Sequence, residues 1–353
     1  MHMQALLGVA VERRASDLHL TVGAPPVLRV HGEMVRLEGA ELRPEDTAAL
    51  AAEVLPDKLR SRFDEAGEVD FAFGLEGLGR FRCNVFRQRG KVALAVRVLS
   101  EKVPDLATLG LPPVVAELAF KPDGLVLVTG RTGSGKSTTL AAMVELINQK
   151  RSGHIITLED PIEYFHRHGQ CIVNQREIGA DSDSFAAALR AALREDPDVI
   201  LVGELRDVET MAIALTAAET GHLVLSTLHT ISAPGAIDRL VDAFPPHQQA
   251  QVRTQLALVL QGVVAQRLLA RSDRAGRVAA CEVLVATTAV RNLIREGKSH
   301  QLVSAIQTGA RYGMVSLEAS LKELVERDVM SPAQYRKLMA AERSGEAGSD
   351  GDW

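Results

Sequence analysis

The octapeptide Gly130-Arg131-Thr132-Gly133-Ser134-Gly135-Lys136-Ser137 constrains this chain more than any other segment. It fits the phosphate-binding pattern G-x-x-x-x-G-K-[ST]. Glycines let the backbone bend so that successive N–H groups converge on phosphate oxygens. Lys136 brings a positive charge to the β and γ phosphates, and the Ser137 hydroxyl is a ligand for Mg²⁺. The flanks suit the motif. Residues 125–129 read as a buried parallel strand, and residues 137–147 read as a helix. Nucleotide contacts are therefore predicted at Thr132, Gly133, Ser134, Gly135, Lys136, Ser137 and Thr138. ATP and Mg²⁺ are the cofactors implied.

A length of 353 residues predicts two domains. A net charge of −5 gives no global attraction to nucleic acid, which is excluded as a partner. The three cysteines, Cys83, Cys171 and Cys281, form no C-x-x-C pair and suit a reducing cytoplasm. No apolar run approaches the ~20 residues that span a bilayer. The longest, 256–265, is broken by Gln261 and Gly262. The N-terminus lacks the pattern of a secretory signal. Direct membrane insertion is thus not expected, and any membrane role runs through a protein partner.

The fold class expected is α/β: a small α+β domain over 1–100, a linker over 101–121, a P-loop ATPase domain over 122–342, and a disordered tail over 343–353. In the first part, strand-like segments alternate around Gly23-Ala24-Pro25-Pro26 and again at His31-Gly32-Glu33. Residues 46–55 read as a helix. Residues 80–86 and 91–98 form a predicted hairpin. Pro104, Pro112, Pro113 and Pro122 punctuate the linker. Beyond it, strands are predicted at 125–129, 154–158, 199–202, 222–228 and 279–286, alternating with helices as a parallel sheet requires. Residues 185–194 are an amphipathic helix that Asp183 or Ser184 can cap. The C-terminal third reads as mostly helical.

Hydrolysis needs a metal ligand, a base for water and positive charge on the transferring group. Asp198-Val199-Ile200-Leu201-Val202-Gly203-Glu204 resembles a Walker B strand, with Gly203 where an Asp is usual. Glu204 is the first acid at the strand's C-terminal end, where open α/β sheets bind ligands. It is assigned to Mg²⁺ through a coordinated water. Glu159, Asp160 and Glu163 crowd five residues, which needs solvent or a nearby cation. Glu163 is chosen as general base and Glu159 as a further metal candidate, although spacing alone does not separate Glu159, Glu163 and Glu204. His222 and His229 bound one strand; His229, at its C-terminal end, is placed near the γ-phosphate. On the N-terminal hairpin, Arg80, Arg82 and Asn84 share a face, joined in parity by Lys91 and Arg97. Arg80, Arg82 and Arg97 are candidate arginine fingers.

These motifs, in this order, resemble the type IV pilus retraction ATPases of the secretion-ATPase superfamily. The likeness starts at Ala15-Ser16-Asp17-Leu18-His19-Leu20 and Gly79-Arg80-Phe81-Arg82. It continues through Asn174-Gln175-Arg176-Glu177, Ile237-Asp238-Arg239 and Gly276-Arg277-Val278-Ala279-Ala280. Most telling is Ala289-Val290-Arg291-Asn292-Leu293-Ile294-Arg295-Glu296, similar to the family's A-I-R-N-L-I-R-E signature. Read without the family, that segment is an amphipathic helix that Thr288 can cap and Gly297 stops, with Val290, Leu293 and Ile294 inward. The resemblance implies a PAS-like N-terminal domain, a RecA-like ATPase domain and a homo-hexamer with nucleotide between the two domains. It implies Glu163 as base, Glu204 at the metal, and Arg82, Arg97 and Arg80 on the phosphates. It makes the signature helix the element coupling nucleotide state to pilus depolymerisation in twitching motility. The implied partner is an inner-membrane platform protein, with the motor at the cytoplasmic face.

An accessory retraction paralogue shares these motifs. An extension or type II secretion ATPase usually adds an N-terminal domain and often a four-cysteine zinc insertion. A DNA translocase needs a basic, aromatic-studded stripe that this sequence lacks.

Overall fold

The computed structural model describes residues 2–30, 32–99 and 103–344. His31, positions 101–102 of the expected linker and positions 345–353 of the expected tail lie outside the described residues. Residues 2–99 with Pro161–Phe165 form one compact unit, and 103–160 with 166–344 the other.

The first unit runs α1 (Met3–Glu12), β1 (Asp17–Leu20), β2 (Val27–Val30), β3 (Glu33–Arg36), α2 (Pro44–Val54), α3 (Asp57–Ala66), β4 (Glu68–Leu75), β5 (Gly79–Gln88) and β6 (Lys91–Leu99). Its strands form one antiparallel sheet, ordered β3-β2-β1-β6-β5-β4. Period-two alternation sorts β5 as the sequence predicts. Phe81, Cys83 and Val85 are fully buried, while Arg80, Arg82 and Asn84 take the other face. The buried face packs against Met3, Leu7, Leu50 and Phe63 of the three helices. Each fully buried side chain of this size contributes about 1.5–3 kcal/mol. Helices α1 and α3 and strand β4 add to the elements expected from the sequence, and in β4 Val69, Phe71, Phe73 and Leu75 alternate with Glu68, Asp70, Ala72 and Gly74.

The second unit runs α4 (Val114–Ala119), β7 (Gly124–Thr129), α5 (Lys136–Lys150), β8 (Gly153–Glu159), β9 (Cys171–Glu177), α6 (Phe185–Ala192), β10 (Val199–Val202), α7 (Val208–Glu219), β11 (Leu223–Leu228), α8 (Ala233–Asp242), α9 (Pro246–Val259), β12 (Leu260–Ala270), β13 (Arg277–Val285), α10 (Thr288–Arg295), α11 (Leu302–Thr308), α12 (Leu317–Glu326) and α13 (Pro332–Ser344). Seven strands form one sheet in the order β13-β12-β7-β11-β10-β8-β9. All neighbours are parallel except β12 and β13. Helices cover both faces. Leu125 and Leu127 of β7 enter one core cluster, and Val126 and Val128 enter another. That double burial is why the central strands read as unbroken apolar runs.

Two expectations are corrected. The stretch expected as a linker is folded: Leu106, Val114, Val115, Leu118 and Ala119 are buried in the core under β7 and α5. Its prolines start the short helix α4 rather than prevent structure. The C-terminal third holds a long strand, β12, alongside the predicted β13. The apolar run 256–265 crosses directly from α9 into β12, with no turn residue to mark the boundary. Expected strands 125–129, 154–158, 199–202 and 222–228 correspond to β7, β8, β10 and β11.

Candidate functional site

The C-terminal ends of β7, β11, β10 and β8 lie side by side, and each delivers a polar group. Thr129 of β7 is opposite Leu228 of β11, and Val202 of β10 lies between Ser226 and Leu158. The next residues out are Gly130, His229, Gly203 with Glu204, and Glu159. Parallel pairing of buried strands therefore collects the phosphate loop, the histidine and two acids at one sheet edge.

The loop has the backbone its glycines permit. Gly130, Gly133 and Gly135 have φ of 152°, 78° and 88°. A Cβ at Gly130 would lie 2.4 Å from the Gln266 carbonyl oxygen and from Ser134 Oγ; one at Gly135 would lie 2.8 Å from Gln266 Nε2. Ser134 Oγ is buried with no hydrogen-bond partner among the described residues. This glycine cradle and its orphaned hydroxyl fit a bound phosphate. Gly135 then caps α5, which starts at Lys136, with Ser137 and Thr138 in its first turn. Thr132 and Gly133 are exposed at the loop's tip. The Lys136 ammonium is buried and donates to the carbonyls of Gly130 at 2.8 Å and Arg131 at 3.0 Å.

Sequence reasoning missed Gln266 of β12. Its amide donates to the Ser134 carbonyl at 2.8 Å and accepts from the Thr139 hydroxyl at 2.8 Å. Both ends of a buried side chain thus brace the loop against its helix. A glutamine within an apolar strand is the signal that could have revealed it.

Glu204 and His229 are brought together: Glu204 Oε2 lies 3.4 Å from His229 Nε2 and 2.6 Å from Arg206 Nε. Glu204 is mostly buried, whereas Arg206 and His229 are more than half exposed. Arg206 was not anticipated. A Cβ at Gly203 would lie 3.2 Å from the Leu158 carbonyl oxygen, a tight approach, and 3.5 Å from Glu159 Cα, an ordinary contact. His222 sits at the opposite end of β11, with its Nδ1 3.0 Å from the Ala217 carbonyl oxygen. Glu159, ending β8, accepts from the Thr157 hydroxyl at 2.7 Å and from Gln175 at 3.2 Å. Among the described residues, no cluster of three or more metal-ligating side chains exists. Mg²⁺ commonly binds one or two carboxylates and takes its other oxygens from phosphates and water. Ser137 and Glu204 suit that mode.

In the first unit, Arg82 and Arg97 are direct cross-strand neighbours, and Asp17 is opposite Arg97. Arg82 is paired with Asp70 at 2.7 Å and Arg97 with Asp17 at 3.1 Å. The Arg80 guanidinium stacks 4.1 Å from the ring centre of Phe165. Phe165 and Glu163 both belong to the Pro161–Phe165 strap that groups with this unit.

The signature segment forms α10. Its cap is Thr287, whose hydroxyl accepts from Val290 N, rather than the expected Thr288. Val290 and Ile294 are buried, Leu293 is half-buried, and Asn292, Arg295 and Glu296 are exposed. Ala289 lies in the first turn. Gly297, at φ 68°, ends the helix as expected. Arg291 turns inward instead of outward. It donates to the carbonyls of Ala286 and Ala257, and closely to that of Leu258, and so closes the C-terminus of α9.

A family model described as type II/IV secretion system protein matches residues 2–334. The Pseudomonas aeruginosa protein named type IV pilus retractation ATPase PilT is 48% identical over 337 residues, 96% of this chain and 98% of that protein. A Neisseria gonorrhoeae twitching motility protein is 47% identical over 330 residues, 92% of this chain and 88% of that protein. Among solved structures, the pilus retraction motor PilT with bound ADP matches at a TM-score of 0.90 and 50% identity, covering 96% of both chains.

Proposed function

This chain belongs to the type II/IV secretion system protein family, and on that premise we propose that it hydrolyses ATP to power type IV pilus retraction. Its fold is that of the secretion ATPases, an N-terminal domain followed by a RecA-like ATPase domain. The observation that carries the reading is the meeting of phosphate loop, Glu204 and His229 at one sheet edge, in a chain alike over nearly its whole length to a retraction ATPase.

Each residue has a part that its surroundings allow. Lys136 leaves the carbonyls of Gly130 and Arg131 for the β and γ phosphates, since a charged oxygen is the stronger acceptor. Ser137 and Glu204 would hold Mg²⁺, with Glu159 as a further candidate. When bound, the metal neutralises charge on the phosphate oxygens. Glu163 takes the proton of the attacking water. His229, whose Nε2 lies 3.4 Å from Glu204 Oε2, reads the γ-phosphate. Arg82 and Arg97 exchange Asp70 and Asp17 for the transferring phosphoryl group, and Arg80 supports them. Pre-pairing with aspartate keeps two adjacent guanidiniums compatible before nucleotide arrives.

The working assembly we propose is a homo-hexamer at the cytoplasmic face of the inner membrane. No described helix is long and apolar enough to cross a membrane. The load is an inner-membrane platform protein, reached through α10. A strain lacking this chain tests the direction of work. Hyperpiliated, immotile cells are expected; bald cells would mean extension instead.

A further inference from the structure

The strap that carries Glu163 is closed at its base by one side chain. Glu159 and His166 flank residues 160–165; fully extended, that stretch would separate them by about 23–25 Å. Both are instead held by Gln175 of β9. Gln175 Nε2 donates to Glu159 Oε1 at 3.2 Å, and Gln175 Oε1 accepts from His166 N at 2.8 Å. The segment between is therefore a closed loop with its ends pinned within one amide's reach.

The exit from the loop is fixed further. His166 Nδ1 lies 2.8 Å from Glu145 Oε2 of α5, and the imidazole is buried. Asn148, one turn along α5, donates to the Arg167 carbonyl at 2.7 Å and accepts from Gly169 N at 3.0 Å. Gly169 must stay small, because a Cβ would lie 2.8 Å from the Asn148 carbonyl oxygen. The loop thus leaves from the end of β8, returns onto the helix that begins at Lys136, and is cross-tied at its neck by Gln175.

We infer that Gln175 is a positioning residue for ATP hydrolysis: by bridging Glu159 and His166 it fixes the neck of the 160–165 loop and so the placement of Glu163. This rests on the reading of Glu163 as general base. The side chain suits the task, because its amide donates to a carboxylate through nitrogen and accepts from a backbone N–H through oxygen. A misplacement of about 1 Å in a catalytic group costs on the order of 100-fold in rate. Substrate grip is built from other residues, the phosphate loop and Gln266. Loosening the neck therefore lowers kcat and spares affinity.

The test is single-turnover ATP hydrolysis and MgATP calorimetry on the full-length chain. The variants are Gln175→Met, Glu163→Gln and the double variant. Met preserves volume and removes both hydrogen bonds. Gln175→Met is expected to lower kcat by about 10- to 100-fold while the Kd stays within about twofold. In the Glu163→Gln background the same change is expected to cost little more, because its effect runs through Glu163. An undiminished kcat in Gln175→Met, or an equal loss in both backgrounds, overturns the positioning role while leaving Glu163 as base. An undiminished kcat in Glu163→Gln overturns the base assignment itself, and the inference with it. Should Gln175→Met fail to fold, Gln175→Glu keeps length and acceptor but sets a like charge against Glu159. It carries the same expected kcat loss and the same contrary outcome.

Discussion

Gln266 donates to the Ser134 carbonyl at 2.8 Å from a strand 132 positions downstream, and so braces the phosphate loop from outside its own motif. The loop's conformation is consequently a tertiary property. Gln266→Leu is expected to weaken MgATP binding at least about 5-fold, because a buried carbonyl and the Thr139 hydroxyl lose their partner at about 1–3 kcal/mol. Calorimetry reads this directly, and an unchanged Kd would refute the bracing role.

Lys136 and Glu204 separate binding from turnover. Lys136→Ala is expected to reduce both affinity and hydrolysis, the latter to background. Glu204→Ala is expected to retain nucleotide but lose at least about 100-fold in kcat, as for removal of a charge-positioning group. Wild-type turnover in either variant would dismiss the site assignment.

The buried pair His166–Glu145 makes stability depend on pH. Burial holds the His166 imidazole below its ordinary 6.5, although the Glu145 carboxylate works against this. Burial opposes ionisation of Glu145 too, but hydrogen bonds from His166 and Gln149 outweigh it and hold the carboxyl below its ordinary 4.5. The unfolded chain therefore binds protons more readily at both groups. Their contribution is full above about pH 6.5 and is lost as pH falls through the histidine range, then the carboxylate range. The melting temperature is expected to drop between about pH 7.5 and pH 5.5, and His166→Gln to flatten that slope. A wild-type melting temperature constant over that interval would contradict the assignment.

On α10, structural and exposed positions must be tested separately. Ile294→Ala is expected to cost about 2–5 kcal/mol through a core cavity, and Arg291→Ala about 1–3 kcal/mol by unpairing carbonyls at the end of α9. Neither would isolate coupling. Asn292→Ala with Arg295→Ala leaves the core intact. ATP turnover near wild type with pili that fail to retract is the expected phenotype. Normal retraction in those cells would remove the helix from the coupling path.

The contrast between what the sequence revealed and what it concealed has a physical basis. β7, β10 and β11 were legible because double burial writes itself as Val/Leu runs. The loop was legible because phosphate geometry demands glycines at fixed spacing. Glu204 and His229 were legible by position, at the ends of such strands. Gln266 and Gln175 were not, because their partners lie on other elements and no local pattern encodes a long-range hydrogen bond; Arg206 is only two residues from its partner Glu204, but an exposed arginine after an acid carries no distinguishing signal. The contacts of Arg291 were hidden for a related reason: a helical wheel places it on the polar face, yet its long side chain folds back to close the end of α9. The prolines near 112 concealed a buried helix, since proline marks a helix start as readily as a linker.

The central claim is that ATP split at this sheet edge shortens pili, and imaging labelled pili in living cells tests it most directly. In cells whose sole copy carries Glu204→Ala, pili are predicted to extend and then persist without shortening. Retraction at the wild-type rate in those cells would contradict the account.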